Sequence, residues 1–285
     1  MRILVAADMD GIAGITHPAQ LFEGGNDYDR ACRLMTADVN AAIEGALQAC
    51  PEATFVVADG HAGGRNLRIE DLHPAAELLC GPMHWLNRPL SQLPDPAGCH
   101  LAFLVGFHAR AGVKGGLLAH TWAGPVVAEV RLAGRPAGET AINAAILAAW
   151  GIAVGLASGA DDLQPEVEAL GSDSVFALTK RALGRTAALC DALPAARRRI
   201  TEAAAEAVAR QRAGLLRPFV PGPGPAVMEV DCHRREQADL ACGEEGIERA
   251  GERTVRAMAA DYAIAARRMW RALCRAQDAA PGWLQ

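Results

Sequence analysis

Four short motifs in the first half of the chain carry side chains of the kind that bind metal ions. They are Asp8-Met9-Asp10-Gly11, Asp59-Gly60-His61, Gly106-Phe107-His108 and Gly138-Glu139. Zinc and similar ions bind imidazole nitrogen and carboxylate oxygen, and a catalytic site leaves one position open for water. The set therefore points to metal-assisted chemistry on a bound substrate.

Three of these motifs follow apolar runs that are typical of buried strands. Asp8 and Asp10 come after the first run, His61 after the second and His108 after the third. Because open α/β sheets bind ligands at the carboxyl ends of their strands, we expect these side chains to converge on one edge of a sheet. Asp8 and Asp10 are two residues apart, so in an extended chain both face the same side.

Each motif also has a simpler interpretation when it is taken alone. The Asp8 motif can be an acidic turn, His61 a solvated loop histidine, and His108 a core residue with a satisfied nitrogen. Asp59 is a candidate to orient the His61 ring, as metal-bound imidazoles usually require. His120 lies in a glycine-rich region that resembles a mobile active-site loop. The other histidines are interpreted as structural or surface residues and are His17, His73, His84, His100 and His233.

Strand-like and helix-like segments alternate along the chain. The predicted strands are Ile3–Ala7, Thr54–Ala58, Leu101–Val105, Val126–Leu132, Val154–Leu156, Val175–Thr179 and Ala226–Val230. The predicted helices are Thr36–Cys50 with Thr36 as N-cap, Glu139–Trp150, Ala195–Leu215 and Arg253–Cys274. This order predicts an α/β fold with a largely parallel sheet flanked by helices, and a smaller C-terminal α+β subdomain. We expect a metal-binding catalytic domain over residues 1–190 and the subdomain over residues 191–285.

Composition excludes several classes of partner. The net charge is −5 and no basic patch is present, so we expect no nucleic acid to bind. The uncharged stretch Ala144–Ala160 is divided by Gly151 and Gly155, which favours a helix followed by a buried strand over a membrane span. Eight cysteines without a C-x-x-C pair favour reduced thiols, and we expect a cytoplasmic protein.

Taken in order, these motifs resemble those of the zinc-dependent D-aminopeptidase family, over most of the chain. The segments that carry the resemblance are Asp8–Gly14, Asp59-Gly60-His61, Leu72-His73-Pro74, Gly106–Arg110, Leu118–Thr121, Arg135–Glu139 with Asn143, Thr179-Lys180-Arg181 and Gly184-Arg185. The resemblance implies two zinc ions per subunit and a self-compartmentalising ring of ten subunits. It implies that Asp8 bridges the metals, and that the ligand set is Asp8, Asp10, His61, His108 and Glu139.

Two positions depart from the family pattern. The family usually has Glu where this chain has Asp10, and the shorter side chain draws its carboxylate back from one metal. Gly159-Ala160-Asp161-Asp162 also differs from the family's usual Gly-Asp-Asp run. The first departure bears on the affinity of one metal site, and the second on the geometry of a loop.

The function that we favour is metal-dependent hydrolysis of the N-terminal amide bond of short peptides. A preference for D-residues follows from the resemblance alone, which also implies that His120 is the catalytic histidine. His120 would stabilise the oxyanion or pass a proton to the leaving amine. Two alternatives stay open: a metal-dependent phosphoester hydrolase, and a non-enzymatic binding protein on the same fold. We also expect a homo-oligomer, because two Ala-rich helices, Ala195–Leu215 and Arg253–Cys274, present broad small-residue faces.

Overall fold

The computed structural model describes residues 1–81, 96, 98–171 and 173–279, which form two β-sheets and the helices that cover them. The strands are β1 Arg2–Ala7, β2 Thr54–Asp59, β3 Ala76–Leu79, β4 Leu101–Phe107, β5 Val127–Leu132, β6 Arg135–Pro136, β7 Val154–Ala160, β8 Val175–Gly184, β9 Ala187–Cys190, β10 Ala226–Cys232, β11 Ile247–Arg249 and β12 Thr254–Ala259. The α-helices are α1 Tyr28–Ala49, α2 Glu139–Ala148, α3 Gln164–Ala169, α4 Leu193–Arg212, α5 Arg235–Ala241 and α6 Tyr262–Ala276. Short 3₁₀ helices span Pro18–Gln20 and Ile69–Asp71.

The larger sheet has seven strands in the order β3-β2-β1-β4-β7-β8-β9. All neighbouring strands are parallel except β8 and β9, which form an antiparallel hairpin. Strand β1, in the interior of this sheet, is buried on both faces. Ile3 and Val5 share a core with α1 and α4, whereas Leu4 and Ala6 share one with α2, α3 and the second sheet. The predicted α/β fold with a largely parallel sheet is confirmed, because covered parallel strands are continuously apolar.

The smaller sheet is antiparallel, with the order β11-β12-β10-β5-β6. Strand β10 alternates in burial: Met228 and Val230 belong to a core shared with α6, while Glu229 and Asp231 lie on the other face and pair with Arg131 of β5. Strands β5 and β6 precede residue 190, so this sheet draws on both predicted domains. The domain boundary at residue 190 stays a prediction.

Two predicted helix boundaries are wrong. Helix α1 begins at Tyr28, and Thr36 lies inside it, where its hydroxyl donates to the Cys32 carbonyl at 2.9 Å. A threonine inside a helix can bond to the preceding turn, so its presence alone does not mark a start. The segment predicted as one helix over Arg253–Cys274 begins instead with strand β12. Helix α6 follows, capped by the Asp261 side chain, which accepts from the Ile264 amide at 2.8 Å.

The uncharged stretch Ala144–Ala160 divides as the sequence predicts. Helix α2 ends at Ala148 and strand β7 begins at Val154. Across the described residues no helix is both long and apolar enough to cross a bilayer. His84 lies outside the described residues.

Candidate metal centre

The candidate metal ligands meet at one edge of the larger sheet. Strands β2, β1 and β4 are neighbours, and their carboxyl ends carry His61, the Asp8–Asp10 turn and His108. Glu139 is the first residue of helix α2, and its side chain reaches the same place. All of these side chains are at least nine-tenths buried.

Asp8 stands at the centre of the arrangement. Its Oδ1 lies 3.0 Å from His61 Nδ1, and its Oδ2 lies 3.3 Å from His108 Nε2. Asp10 Oδ2 lies 3.2 Å from His61 Nδ1, and Glu139 Oε1 lies 3.5 Å from His108 Nε2. Two groups of donor atoms therefore share Asp8, one with Asp10 and His61 and the other with His108 and Glu139.

Backbone carbonyls fix which nitrogen of each imidazole faces the carboxylates. His61 Nε2 donates to the Leu21 carbonyl at 2.8 Å, and His108 Nδ1 donates to the Ala109 carbonyl at 3.0 Å. A carbonyl can only accept, so in a neutral ring the other nitrogen presents a lone pair. Those lone pairs point at carboxylate oxygens, which are also electron-rich. Positive charge, either a proton or a metal ion, is therefore required between these groups.

The pKa values express the same balance of charge. Burial acts to lower the pKa of His61, but the Asp10 and Asp8 carboxylates outweigh it and raise this pKa well above its ordinary value. His108 behaves likewise, because Asp8 and Glu139 outweigh burial. Burial raises the pKa of Asp8 and of Asp10, but the neighbouring imidazoles outweigh it and bring both to about 2. The site thus favours ionised carboxylates facing a cation.

The donor set fits a divalent metal. Within the described residues, Asp10 Oδ2 and His108 Nε2 have no hydrogen-bond partner apart from the facing atoms of the cluster itself. Buried polar atoms are rarely left without a partner, and both of these face the cluster. Carboxylate oxygens and imidazole nitrogens with fixed tautomers are donors that zinc accepts.

His120 lies beside the cluster and is less buried than the other members. Its ring stacks on that of His108, with centroids 4.1 Å apart and an interplanar angle of 9°. Its Nδ1 donates to the Leu118 carbonyl at 2.9 Å, so Nε2 faces the cluster and lies 3.9 Å from Glu139 Oε1. The side chain is 32% exposed, which leaves Nε2 accessible from the pocket described below. Since one ring nitrogen of His120 lies within 4.8 Å of ligand atoms of Asp10 and His108, a ligand role for His120 is sterically allowed.

Two glycines allow the turn that follows β1 to touch the end of strand β4 through their backbones. Gly11 donates its amide to the Gly106 carbonyl at 2.7 Å, and a Cβ on Gly11 would lie 1.8 Å from the Phe107 carbonyl oxygen. Gly106 has φ +78°, and a Cβ there would lie 2.3 Å from the Asp8 carbonyl oxygen. No side chain fits at either position. This close contact brings Asp8 within reach of His108.

Strand β8 holds the turn that carries Asp10. The fully buried Lys180 ammonium donates to the carbonyls of Asp10 and Ile12, at 2.8 Å each, and the Thr179 hydroxyl donates to the Gly11 carbonyl at 2.7 Å. Burial lowers the pKa of Lys180 to about 8. No role is predicted for Lys180 from the sequence, and the structure shows that it holds the backbone beneath Asp10. Asn143, also without a predicted role, is buried in α2 one turn after Glu139.

The predicted contact between Asp59 and His61 is wrong. The Asp59 carboxylate accepts from the Asn66 amide at 2.6 Å, from the Leu67 amide at 2.8 Å and from Asn66 Nδ2 at 2.7 Å. Asn66 Nδ2 also donates to the His61 carbonyl at 2.7 Å. Asp59 therefore orders the loop around His61 through Asn66, and the Leu21 carbonyl orients the ring.

The buried carboxylate of Glu166 links the segments that carry His108 and Glu139. Glu166 Oε1 accepts from the Arg110 amide at 2.6 Å, and its Oε2 lies so close to Gly138 that a Cβ there would clash at 2.2 Å. Burial raises the pKa of Glu166 to about 7. No motif in the sequence marks this residue, since it lies in an ordinary short helix.

The cluster opens into a pocket of about 570 Å³. Asp8, Asp10 and Glu139 contribute to its wall together with His61 and His120. The remaining wall is mostly apolar and includes Leu21, Phe22, Leu118, Ala119, Trp122, Ala123, Pro125 and Trp270. This volume lies within the range of about 300–1,000 Å³ that is usual for small-molecule sites.

A largely parallel α/β sheet with clustered carboxylates and imidazoles at its strand ends, open to a pocket, has the architecture of a metal-dependent hydrolase. Residues 1–271 match the model of peptidase family M55, described as D-aminopeptidase, and the chain belongs to this family. A D-aminopeptidase of Bacillus subtilis (strain 168) is 29% identical over 267 residues, which cover 92% of each chain. The solved structure of the Zn-dependent D-aminopeptidase DppA from Bacillus subtilis, a self-compartmentalizing protease, superposes with a TM-score of 0.88 at 28% identity over 98% of each chain.

These comparisons confirm the predicted family, and with it an enzyme of the aminopeptidase class. The structure brings together all six predicted site residues. The role of each one, as metal ligand or as catalytic histidine, stays a prediction. No sequence pattern indicates three further contributions to the site, which come from the Leu21 carbonyl, the Glu166 carboxylate and the Trp122 amide. The Trp122 amide donates to Glu139 Oε1 at 2.7 Å.

Proposed function

We propose that this protein is a two-zinc aminopeptidase that removes the N-terminal residue, preferentially a D-residue, from short peptides. The observation that carries the proposal is the sharing of Asp8 by two groups of donor atoms within one pocket. Asp8, Asp10 and His61 would hold one ion, and Asp8, His108 and Glu139 the other. Bound zinc supplies a Lewis acid and lowers the pKa of water toward neutrality.

The chain's own residues would perform the remaining tasks. The Leu21 and Ala109 carbonyls each accept a hydrogen bond from one ring nitrogen of His61 and His108, so Nδ1 of His61 and Nε2 of His108 are the nitrogens that would bind the ions. His120 Nε2, which faces the pocket, would accept a proton from the attacking water; the resulting imidazolium would then donate a hydrogen bond to the developing oxyanion or pass that proton to the leaving amine. The apolar wall would exclude water from the scissile amide, which strengthens these electrostatic interactions. The family places the chain among peptidases, so the phosphoester alternative has no specific support.

Metal content and peptide hydrolysis test the proposal together. Protein purified without chelator should contain two zinc ions per chain and should release the N-terminal residue from D-alanylglycine faster than from L-alanylglycine. Removal of metal by a chelator should abolish hydrolysis, and added zinc should restore it. A protein that binds no divalent ion would contradict the proposal, and so would one that cleaves a phosphoester but no peptide.

Replacing Asp10 by glutamate should strengthen the metal site that contains His61. The family usually has the longer side chain here, and one added methylene extends the carboxylate toward the ion. We expect Asp10→Glu to bind the zinc ion at the His61 site about tenfold more tightly. This is about the size of the affinity change that follows when the groups around a metal ligand are altered. A titration against a competing chelator measures this, with circular dichroism as the check on folding. Equal affinities would show that the backbone under Asp10, held by Lys180, already compensates.

We further propose that the protein forms a homo-oligomer, and specifically a ring of ten subunits that encloses the sites. The predicted basis for assembly needs correction, because the small-residue faces of α4 and α6 are buried within the chain itself. The edge hairpin of β8 and β9 offers another surface, since Leu183 and Leu189 are 72% and 52% exposed. Light scattering at micromolar concentration should give ten times the chain mass of 29.9 kDa. An active monomer would contradict this proposal.

A further inference from the structure

The turn between β8 and β9 brings a positively charged side chain to the pocket of the metal centre. Arg185, exposed in this turn, lines the pocket together with Asp8, Asp10 and Glu139. Among the lining residues in the described part of the chain, Arg185 is the lone lysine or arginine. The pocket thus has a cationic side chain in addition to the carboxylates that would hold the metals.

Arg185 is tied to the segment that carries His120. The Leu118 amide donates to the Arg185 carbonyl at 2.9 Å, and Arg185 Nη2 donates to the Ala119 carbonyl at 3.3 Å. Ala119 immediately precedes His120, and consecutive Cα atoms are about 3.8 Å apart. The guanidinium therefore contacts the residue next to the histidine that would face the leaving amine.

Most of the hydrogen-bonding capacity of Arg185 is unused. A guanidinium has five N–H donors in a planar fork, and the contact with Ala119 occupies one of them. Arg181, in the same hairpin, pairs with Asp191 at 3.7 Å, whereas no carboxylate within the described residues pairs with Arg185. A planar fork with free donors matches a carboxylate, which it can bind through two parallel hydrogen bonds.

We propose that Arg185 binds the free C-terminal carboxylate of the peptide. The inference rests on the proposed function, because it needs the scissile amide beside His120. In a dipeptide the carboxylate carbon is two bonds beyond the leaving nitrogen, so with the scissile amide beside His120 the carboxylate would be within reach of Arg185, which contacts the residue before His120. This contact would select peptides whose free carboxylate follows the scissile amide by one or two residues.

The test compares two substrates that differ only at the C-terminus, D-alanylglycine and D-alanylglycinamide. Arg185→Gln should raise KM for the free acid roughly tenfold or more and leave KM for the amide unchanged. A roughly tenfold change is typical of the loss of one charge-assisted hydrogen bond. Comparing each variant with the wild type removes the intrinsic difference in reactivity between the substrates. Arg181→Gln removes the same charge from the same hairpin outside the pocket, and should leave both KM values unchanged.

Binding of the same two peptides to His120→Ala protein, measured by calorimetry, makes the comparison without turnover. If the protein binds the free acid more tightly than the amide, and Arg185→Gln abolishes this preference, the carboxylate site is supported. This conclusion holds even if neither peptide is hydrolysed, in which case only the peptidase proposal fails. Equal binding of acid and amide by the protein with Arg185 intact overturns the inference. An equal loss of kcat on both substrates in Arg185→Gln, with KM unchanged, also overturns it, because Arg185 would then only support the His120 segment.

Discussion

Replacing His120 by alanine should leave the zinc content unchanged and lower kcat for peptide hydrolysis by about 10²–10⁴-fold, the usual contribution of a general acid or base. The Leu118 carbonyl holds the Nδ1 proton, so Nε2 is the nitrogen that faces the reacting groups. The side chain is 32% exposed and stands at the pocket wall, whereas the five candidate ligands are buried. Elemental analysis and steady-state kinetics on the same preparation measure both quantities.

A matched control is available at the other edge of the sheet. His100 precedes strand β4 at its amino end, where its Nδ1 accepts from the Arg2 amide at 3.1 Å. His100→Ala should change neither zinc content nor kcat. If His120→Ala loses one zinc ion while His100→Ala keeps both, His120 is a ligand, as its distance to Asp10 and His108 permits. The role that we assign to it would then be wrong.

Replacing Asp8 by asparagine should cost both metal ions and lower hydrolysis by more than about 10³-fold, since metal-derived stabilisation is worth several kcal/mol. Asp8 is the single residue common to the two proposed sites, and its two oxygens face different histidines. Asparagine keeps the volume, and its Oδ1 can still accept from the Met9 amide, which Asp8 Oδ1 does at 2.8 Å. The turn after β1 should therefore persist while the bridging charge is lost. Zinc per folded chain is the measurement.

Asp38 provides the control for loss of a buried carboxylate as such. It is fully buried in α1 and accepts from the Ala13 amide at 2.9 Å and from Arg197 Nε at 3.0 Å, outside the metal centre. Asp38→Asn should lower thermal stability but leave two zinc ions on each folded chain. Full zinc occupancy in Asp8→Asn would exclude a bridging role for Asp8. Equal loss of zinc in both variants would trace the effect to folding.

The sequence by itself determined the fold class and the edge of the sheet where the site lies. Continuous apolar runs such as Ile3–Ala7 are typical of strands covered on both faces, and parallel strands place their carboxyl ends together. That geometry is enough to predict that Asp8, His61 and His108 converge. The same motifs contain Gly11 and Gly106, and the structure shows why glycine is needed there: the turn after β1 and the end of β4 touch through their backbones.

Only the tertiary structure decided what surrounds the candidate ligands. The Leu21 carbonyl, which sets the His61 tautomer, lies 40 residues away in the chain, and Lys180 lies 170 residues from the carbonyl of Asp10 that it binds. Such contacts depend on how loops and strands pack, and no local pattern encodes them. The same holds for Arg185, which sequence spacing places far from His120 and which a hairpin turn returns to its side. The sequence pattern predicts a helix where strand β12 lies, for a related reason. The small and alternating residues of β12 favour a strand only when β10 is present to pair with them.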